Sequence, residues 1–518
     1  MLAKPRIVIV ACLVFALVAG YFVAGHHFYK FPIGLDASAY LAGDAIHGVI
    51  RSFSPNSHGS VVGVVWLVVS LVAIAAVGFF TARASLRAEA RATDVGRRRF
   101  LGAWLVGFGS LLAGAAAATA RGLFGLGHGG RGWMGINKSI QAPVVRTHPE
   151  WLEAWKGSRV KSYRRLGRTE WQVSDIVLGT GQISGENGGK IAQLALERGV
   201  NYFDTSPDYS GAGSEQAMGR ALASVRRDEV FVATKFCTPT GHLPPGTPVA
   251  KYKAAVEASL GRLGTDYVDL CHIHSCDDVE RLLDPNVHEA FSQLKREGKV
   301  RFLGFSTHTP NLVEVANAGI DDGRFDVMML AYHYGQWAPL GDIIARGRRE
   351  QDMGVVAMKT LKGARHHGLA GFREHSDAYS QAALTWSLSN PDVSCAVISF
   401  FEFQHVDEYL HASGRALSQR DLATVEEYDR QVRGTYCEPH CGACLDSCPE
   451  RLRIPDVLRH RMYFEDYGRQ KEAMRLYAQL QKQASVCASC SAPCTGTCPV
   501  GIPIRERTLG AHDLLTLS

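Results

Sequence analysis

At 518 residues the chain is too long for one ordinary domain, so two or three units are expected. A hydrophobic share of 46% with mean hydropathy near zero excludes a disordered chain. The net charge of +6 is mostly local: between residues 82 and 99, Arg83, Arg87, Arg91, Arg97, Arg98 and Arg99 stand against Glu89 and Asp94. No basic stripe with interleaved aromatics appears elsewhere, so nucleic acid is not an expected partner.

Taken in order, residues 7–25 and 61–80 carry no charge and are long enough to span a bilayer. A third apolar stretch, 100–120, is richer in Ala and Gly and comes directly after three arginines. Buried helices of soluble domains rarely run about 20 residues without a charge, which favours membrane helices. The basic loop before the third stretch favours cytoplasmic placement of that loop and the extracytoplasmic, periplasmic side for the chain beyond residue 120; the cytoplasmic face is the alternative. Arg97-Arg98-Arg99-Phe100-Leu101 is similar to a twin-arginine export signal, and Ala118-Thr119-Ala120 offers a small-residue cleavage site. A basic stop-transfer flank would read the same way. Residues 1–120 are thus expected to form a membrane region, and 121–160 a Gly-rich linker, with seven glycines between 121 and 135.

From residue 161 strand-like and helix-like stretches alternate. Apolar runs occur at 176–179, 202–204, 230–235, 267–274, 300–306, 326–332, 354–359 and 394–399, with helical patterns such as 190–198, 214–224, 249–263 and 287–297 between them. Eight such units in a domain spanning 161–433 predict an α/β fold, a closed parallel (β/α)8 TIM barrel. A doubly wound open sheet is the alternative, but GTGQISGENGG after the first run lacks the G-x-G-x-x-G spacing.

Reactive side chains of such barrels sit at the carboxyl ends of strands. The second run ends at Asp204 with Tyr209 a loop's reach away, the third ends at Lys235, and the fourth puts His272 and His274 on one face. A lysine beside a tyrosine favours the phenolate, a carboxylate keeps that lysine charged, and a histidine can orient a carbonyl or relay a proton. Each has a plain alternative: Asp204 as a helix cap, Lys235 as a solvated rim charge, His272 as an interior histidine.

The segments YRRLGRTEWQVSDIVLGT, GVNYFDTSPDYSGAGSE, FVATKF, YVDLCHIH and GKVRFLGFSTH resemble the aldo/keto reductases in order and spacing, over about residues 161–412. The resemblance implies that Tyr209 is the general acid, with Asp204, Lys235 and His274 completing a catalytic tetrad. It also implies hydride transfer between a nicotinamide cofactor, NAD(P)(H), and a small-molecule carbonyl or alcohol. On the cofactor side it points to Ser306, Thr307, Met358, Lys359 and Leu361. Here the match is looser: Thr307 stands where the family has Asn, Met329 where it has Gln, and Met358 where many members stack a Tyr. The basic loop from Lys359 to His375 either meets a pyrophosphate or is simply solvated.

Eight of the 13 cysteines lie after residue 436, as Cys437, Cys441, Cys444 and Cys448-Pro449, then Cys487, Cys490, Cys494 and Cys498-Pro499. Each run departs by one residue from the bacterial ferredoxin pattern and keeps its Cys-Pro ending, which favours iron–sulfur clusters over zinc or disulfides. The stretch 464–482 reads as helix. Residues 434–518 therefore resemble an α-helical ferredoxin-like domain, which implies two 4Fe-4S clusters, each taking its fourth ligand from the other run. The expected function is an oxidoreductase coupled through these clusters to an electron-transfer partner. The alternative is a membrane-bound electron-transfer or assembly subunit whose barrel is kept as a scaffold.

Overall fold

The computed structural model describes residues 152–516, apart from 336–338, 365–368, 370–371, 373–378 and 468. The three apolar stretches, the twin-arginine-like run and most of the Gly-rich linker lie outside the described residues. Among the described residues, no helix is long and apolar enough to cross a membrane.

Two compact units emerge. One comprises, within the described residues, 152–455 and 492–504; the other, 456–491 and 505–516. In the first unit, strands β1 (Tyr163–Arg165) and β2 (Gln172–Ser174) form an antiparallel hairpin. Eight parallel strands then close into a barrel: β3 (Ile176–Gly179), β4 (Tyr202–Asp204), β5 (Phe231–Lys235), β8 (Val268–Ile273), β9 (Val300–Thr307), β10 (Val327–Ala331), β11 (Gly354–Met358) and β12 (Cys395–Ser399). A short hairpin, β6 (Cys237–Thr238) with β7 (Gly241–His242), comes after β5. The eight barrel strands fall on the eight apolar runs, trimmed by at most a residue at either end in all but one case; β9 is a residue longer.

Period-two alternation explains the closed sheet. Val177, Tyr202, Phe231, Ala233, Leu270, Val327, Met329 and Val356 pack together in the barrel interior. Their strand neighbours Ile176, Leu178, Phe203, Val232, Cys271, Met328, Leu330 and Val355 belong instead to the layer between strands and helices. Both faces are buried, so the strands read as continuous apolar runs. Covering helices include α1 (Gly185–Glu197), α2 (Gly213–Leu222) and α3 (Val249–Leu263), the last stopped by Gly264 in the left-handed region at φ 64°.

The hairpin β1–β2 was not foreseen from sequence. It sends Leu166 and Val173 into the same interior cluster. At its turn, Gly167 has φ 51°, and a Cβ there would lie 2.2 Å from the Gly354 nitrogen at the start of β11. Only glycine permits this contact at the amino end of the strands. The carboxyl ends are left for chemistry.

Beyond the barrel come α10 (Gln419–Val432), with a Ser418–Asp421 capping box, then α11 (Ile454–Glu465), α12 (Gln470–Ala478) and α13 (Ile504–Leu515). Helix α10 is preceded in the barrel by α4 (Val279–Leu282), α5 (Pro285–Arg296), α6 (Leu312–Asp322), α7 (Pro339–Gln351), α8 (Tyr379–Ser389) and α9 (Phe403–Leu410). The single helix expected over 464–482 is corrected: α11 ends at Glu465 and α12 starts at Gln470. The intervening sequence Asp466-Tyr467-Gly468-Arg469 contains a poor helix former at its centre.

Candidate active site

Three strand ends bring the sequence-expected residues together. Strand pairing sets Asp204 opposite Ala233, and Lys235, two residues further along β5, opposite His272 of β8. Lys235 is 1% exposed and donates from Nζ to Asp204 Oδ1 at 2.7 Å and to the Thr205 carbonyl at 2.7 Å. It is therefore a buried ion-pair partner and not a solvated rim charge. The same ammonium lies 4.8 Å from the centroid of the Tyr209 ring. Burial alone would lower the lysine, but the Asp204 carboxylate and Tyr209 hold it above its ordinary range. Burial raises the Tyr209 phenol, and the Lys235 charge opposes that rise.

His274 comes directly after the last residue of β8 and is buried. Its ring stands edge-on to Tyr209, with centroids 5.7 Å apart. Burial, then the neighbouring His242, Lys235 and Arg281, hold it well below the usual histidine range, which favours the neutral ring. Arg281 fixes the main chain here, donating to the carbonyls of His274 at 2.6 Å, Ser275 at 3.1 Å and Leu243 at 3.3 Å. His272 lies one layer deeper, fully buried, its Nε2 4.0 Å from Asp204 Oδ2. It matches the interior-histidine reading.

Residues 175–368 match the family described as the Aldo/keto reductase family. L-galactose dehydrogenase of Arabidopsis thaliana is 27% identical over 303 residues, 51% of this chain and 92% of that protein. The oxidoreductase YqkF of Bacillus subtilis is 26% identical over 300 residues, 52% of this chain and 96% of its own. The comparisons support one family, the aldo/keto reductases. The relatives are named as dehydrogenase or oxidoreductase, consistent with a nicotinamide-dependent enzyme. A solved aldo-keto reductase from Bacillus halodurans is 22% identical, with a TM-score of 0.42, covering 51% of this chain and 95% of its own.

Of the residues expected from sequence to meet a cofactor, Ser306 and Thr307 end β9 and are buried, and Met358 ends β11. Ser306 Oγ accepts from the Ser275 N–H at 2.9 Å, leaving its own hydrogen to donate. Met329 pairs in register with Ser306. Lys359 takes a left-handed conformation at φ 60° just after β11, and Leu361 packs against the core. Lys362, which sequence reasoning did not single out, is held by Asp429 Oδ1 at 2.5 Å and Glu438 Oε1 at 2.7 Å. Most of the basic loop beyond Ala364 lies outside the described residues.

The cysteine runs share a local design. Cys448 Sγ accepts from the Leu452 N–H at 3.4 Å, and Cys498 Sγ from the Ile502 N–H at 3.3 Å, the same four-residue step. Arg451 and Gly501, each three residues past its cysteine, are both left-handed, at φ 51° and 74°. The residues before the two cysteines meet, Ser447 Oγ lying 3.0 Å from Thr497 Oγ1. Cys441, Cys444, Cys448 and Cys498 are free thiols. Cys444 is pushed up to about 12, first by burial and then by Cys441 of its own run and by Cys494 and Cys498 of the other. In the other unit, Cys487 Sγ accepts from Thr508 Oγ1 at 3.4 Å, and Arg505 Nε donates to the Cys487 carbonyl at 3.1 Å. Cys490 lies on the same segment. The repeated N–H···S bonds fit a cluster-bound thiolate.

Proposed function

We propose that the barrel interconverts a small carbonyl compound and its alcohol, with Tyr209 moving the proton. The observation that carries this reading is the position of Lys235 Nζ, 2.7 Å from Asp204 Oδ1 and 4.8 Å from the Tyr209 ring centroid. In reduction the Tyr209 hydroxyl gives its proton to the substrate oxygen as that oxygen becomes negative. The nearby ammonium stabilises the phenolate left behind, and Asp204 keeps the ammonium charged. Neutral His274 orients the carbonyl without competing as an acid. A bound nicotinamide cofactor would supply the hydride, with Ser306, Thr307, Met358, Lys359 and Leu361 as the residues that hold it. The test is Tyr209→Phe: carbonyl reduction should be lost with the fold and iron content unchanged, and equal turnover by both proteins would refute the assignment.

The eight C-terminal cysteines are read as ligands of two 4Fe-4S clusters, which exchange single electrons with a partner. The free thiols and the two N–H···S bonds support clusters over disulfides. The apolar N-terminal stretches are read as a membrane tether, with the barrel on the extracytoplasmic side and the cytoplasmic face as the alternative. Protease treatment of intact spheroplasts separates the two, since protection of the barrel would rule out the outer placement.

The pairing of Lys362 with Asp429 and Glu438 favours a second reading. A cation in the loop after β11 is committed to carboxylates instead of being offered to a phosphate. In this reading the barrel serves as the scaffold of an electron-transfer subunit. Failure of the purified chain to bind or oxidise a nicotinamide cofactor would favour it.

A further inference from the structure

The hairpin β6–β7 does more than extend β5. It brings Cys237 and His242 to Asp208 and His274, and one donor atom from each of the four lies within 4.8 Å of all the others. His274 Nδ1 is 3.5 Å from Asp208 Oδ1, and His242 Nε2 is 3.7 Å from Asp208 Oδ2. The two imidazole rings stand with centroids 4.5 Å apart. Around a tetrahedral zinc ion, donors at their usual bond lengths sit roughly 3.3–3.8 Å from one another. The two histidine–aspartate separations already fall in that range, and the rest of the set has to close from within 4.8 Å.

We propose that Asp208, Cys237, His242 and His274 bind a zinc-class divalent metal ion at the mouth of the barrel. Two imidazoles, a thiolate and a carboxylate are the borderline donor set that such an ion selects, whereas magnesium and calcium call for oxygen alone. Thiolate and carboxylate together cancel the charge of a divalent ion. The site is supported from behind. Ser206 Oγ donates to Asp208 Oδ1 and lies 3.4 Å from His274 Nδ1, and Arg281 ties down the carbonyls of His274 and Leu243 on either side of the set. Cys237 Sγ now donates to the Gly241 carbonyl at 3.0 Å across its own hairpin. Metal binding releases that thiol proton to solvent and replaces the hydrogen bond with a metal–sulfur bond.

Asp208 immediately precedes Tyr209, and Ser210, Gly211 and Ala212 after it are all left-handed, at φ 52°, 58° and 71°. The ion therefore pins both the hairpin and a strained loop beside the tyrosine. Coordination through Nδ1 leaves Nε2 of His274 for other contacts. Metal binding is measured at rest and is therefore independent of carbonyl turnover.

The test uses the full chain, stripped of loosely bound metal and titrated with cobalt(II). Wild type, His242→Ala and Cys237→Ser are compared for cobalt bound, thiolate-to-cobalt charge-transfer absorption and iron content. The His242 side chain is 38% exposed and belongs to neither core cluster, so its replacement leaves the core intact. The expected result is one more equivalent of cobalt in wild type than in either variant, a charge-transfer band missing from Cys237→Ser, and equal iron in all three. Zinc(II) should raise the Tm of wild type and not of His242→Ala. Equal cobalt in wild type and His242→Ala would overturn the site, whatever metal the C-terminal cysteines hold.

Discussion

Lys235 Nζ sits 2.7 Å from Asp204 Oδ1 with both groups buried, so the tyrosine's electrostatic partner is itself half of an interior ion pair. Breaking such a pair on one side leaves a charge without compensation. Lys235→Met should lower stability by about 3–5 kcal/mol as well as abolish reduction. Urea unfolding measures it, and a loss below about 1 kcal/mol would show that Asp204 is not held as a carboxylate.

Tyr209→Phe removes the hydroxyl proposed as proton donor while leaving the ring that packs against His274. Loss of a general acid typically costs about 10²–10⁴-fold in rate. The drop should appear in kcat/KM for any carbonyl substrate that wild type reduces, with Tm nearly unchanged. A Tm collapse would point to a packing role instead.

Glu408 on α9 is buried and accepts from Ser380 Oγ at 2.5 Å. Burial pushes its carboxyl up to about 8, against an ordinary value of 4.5. Between those values the folded chain keeps a proton that the unfolded chain has released, so stability falls as pH rises from about 4.5 to about 8. Glu408→Gln should flatten this slope and raise Tm at pH 8 relative to wild type. An unchanged Tm–pH profile would exclude the protonated carboxyl.

Lys362 links the loop after β11 to Asp429 of α10 and to Glu438, the residue after Cys437; His333 Nε2 lies 3.3 Å from Glu438 Oε2. Burial raises the Glu438 carboxyl, and Lys362 opposes that rise. Lys362→Met should therefore loosen the segment that carries the first cysteine run, seen as faster loss of iron on exposure to a chelator. Iron release at the wild-type rate would mean that the network acts on the barrel alone.

Anaerobically purified protein should contain about eight irons per chain if both runs hold clusters. Cys444→Ser should remove about half of them. Zinc in place of iron at those positions would remove the electron-transfer reading.

The barrel was legible because each strand is buried on both faces and ends in a turn, which leaves continuous apolar runs at regular intervals. The helix Val249–Leu263 is legible to the residue, since Pro248 and Gly264 bracket an amphipathic stretch. Asp204, Tyr209, Lys235 and His274 were legible because strand ends can be counted. The hairpin Tyr163–Ser174 was missed: its strands are three residues each, too short for a periodic signal. The break between α11 and α12 was missed because its charged flanks keep a helical pattern across Gly468.

Chain order thus determined the fold class, the positions of Asp204, Tyr209, Lys235 and His274 at or just beyond strand ends, and the two cysteine runs, all of which depend on local periodicity and spacing. The tertiary structure alone decided that Lys235 is buried and ion-paired and that Lys362 is committed to Asp429 and Glu438. It alone brought Cys237 and His242 beside Asp208 and His274. Those outcomes depend on which residues the fold brings into contact, and residues 31 positions apart, as Asp204 and Lys235 are, or 67 apart, as Lys362 and Asp429 are, leave no periodic trace of meeting.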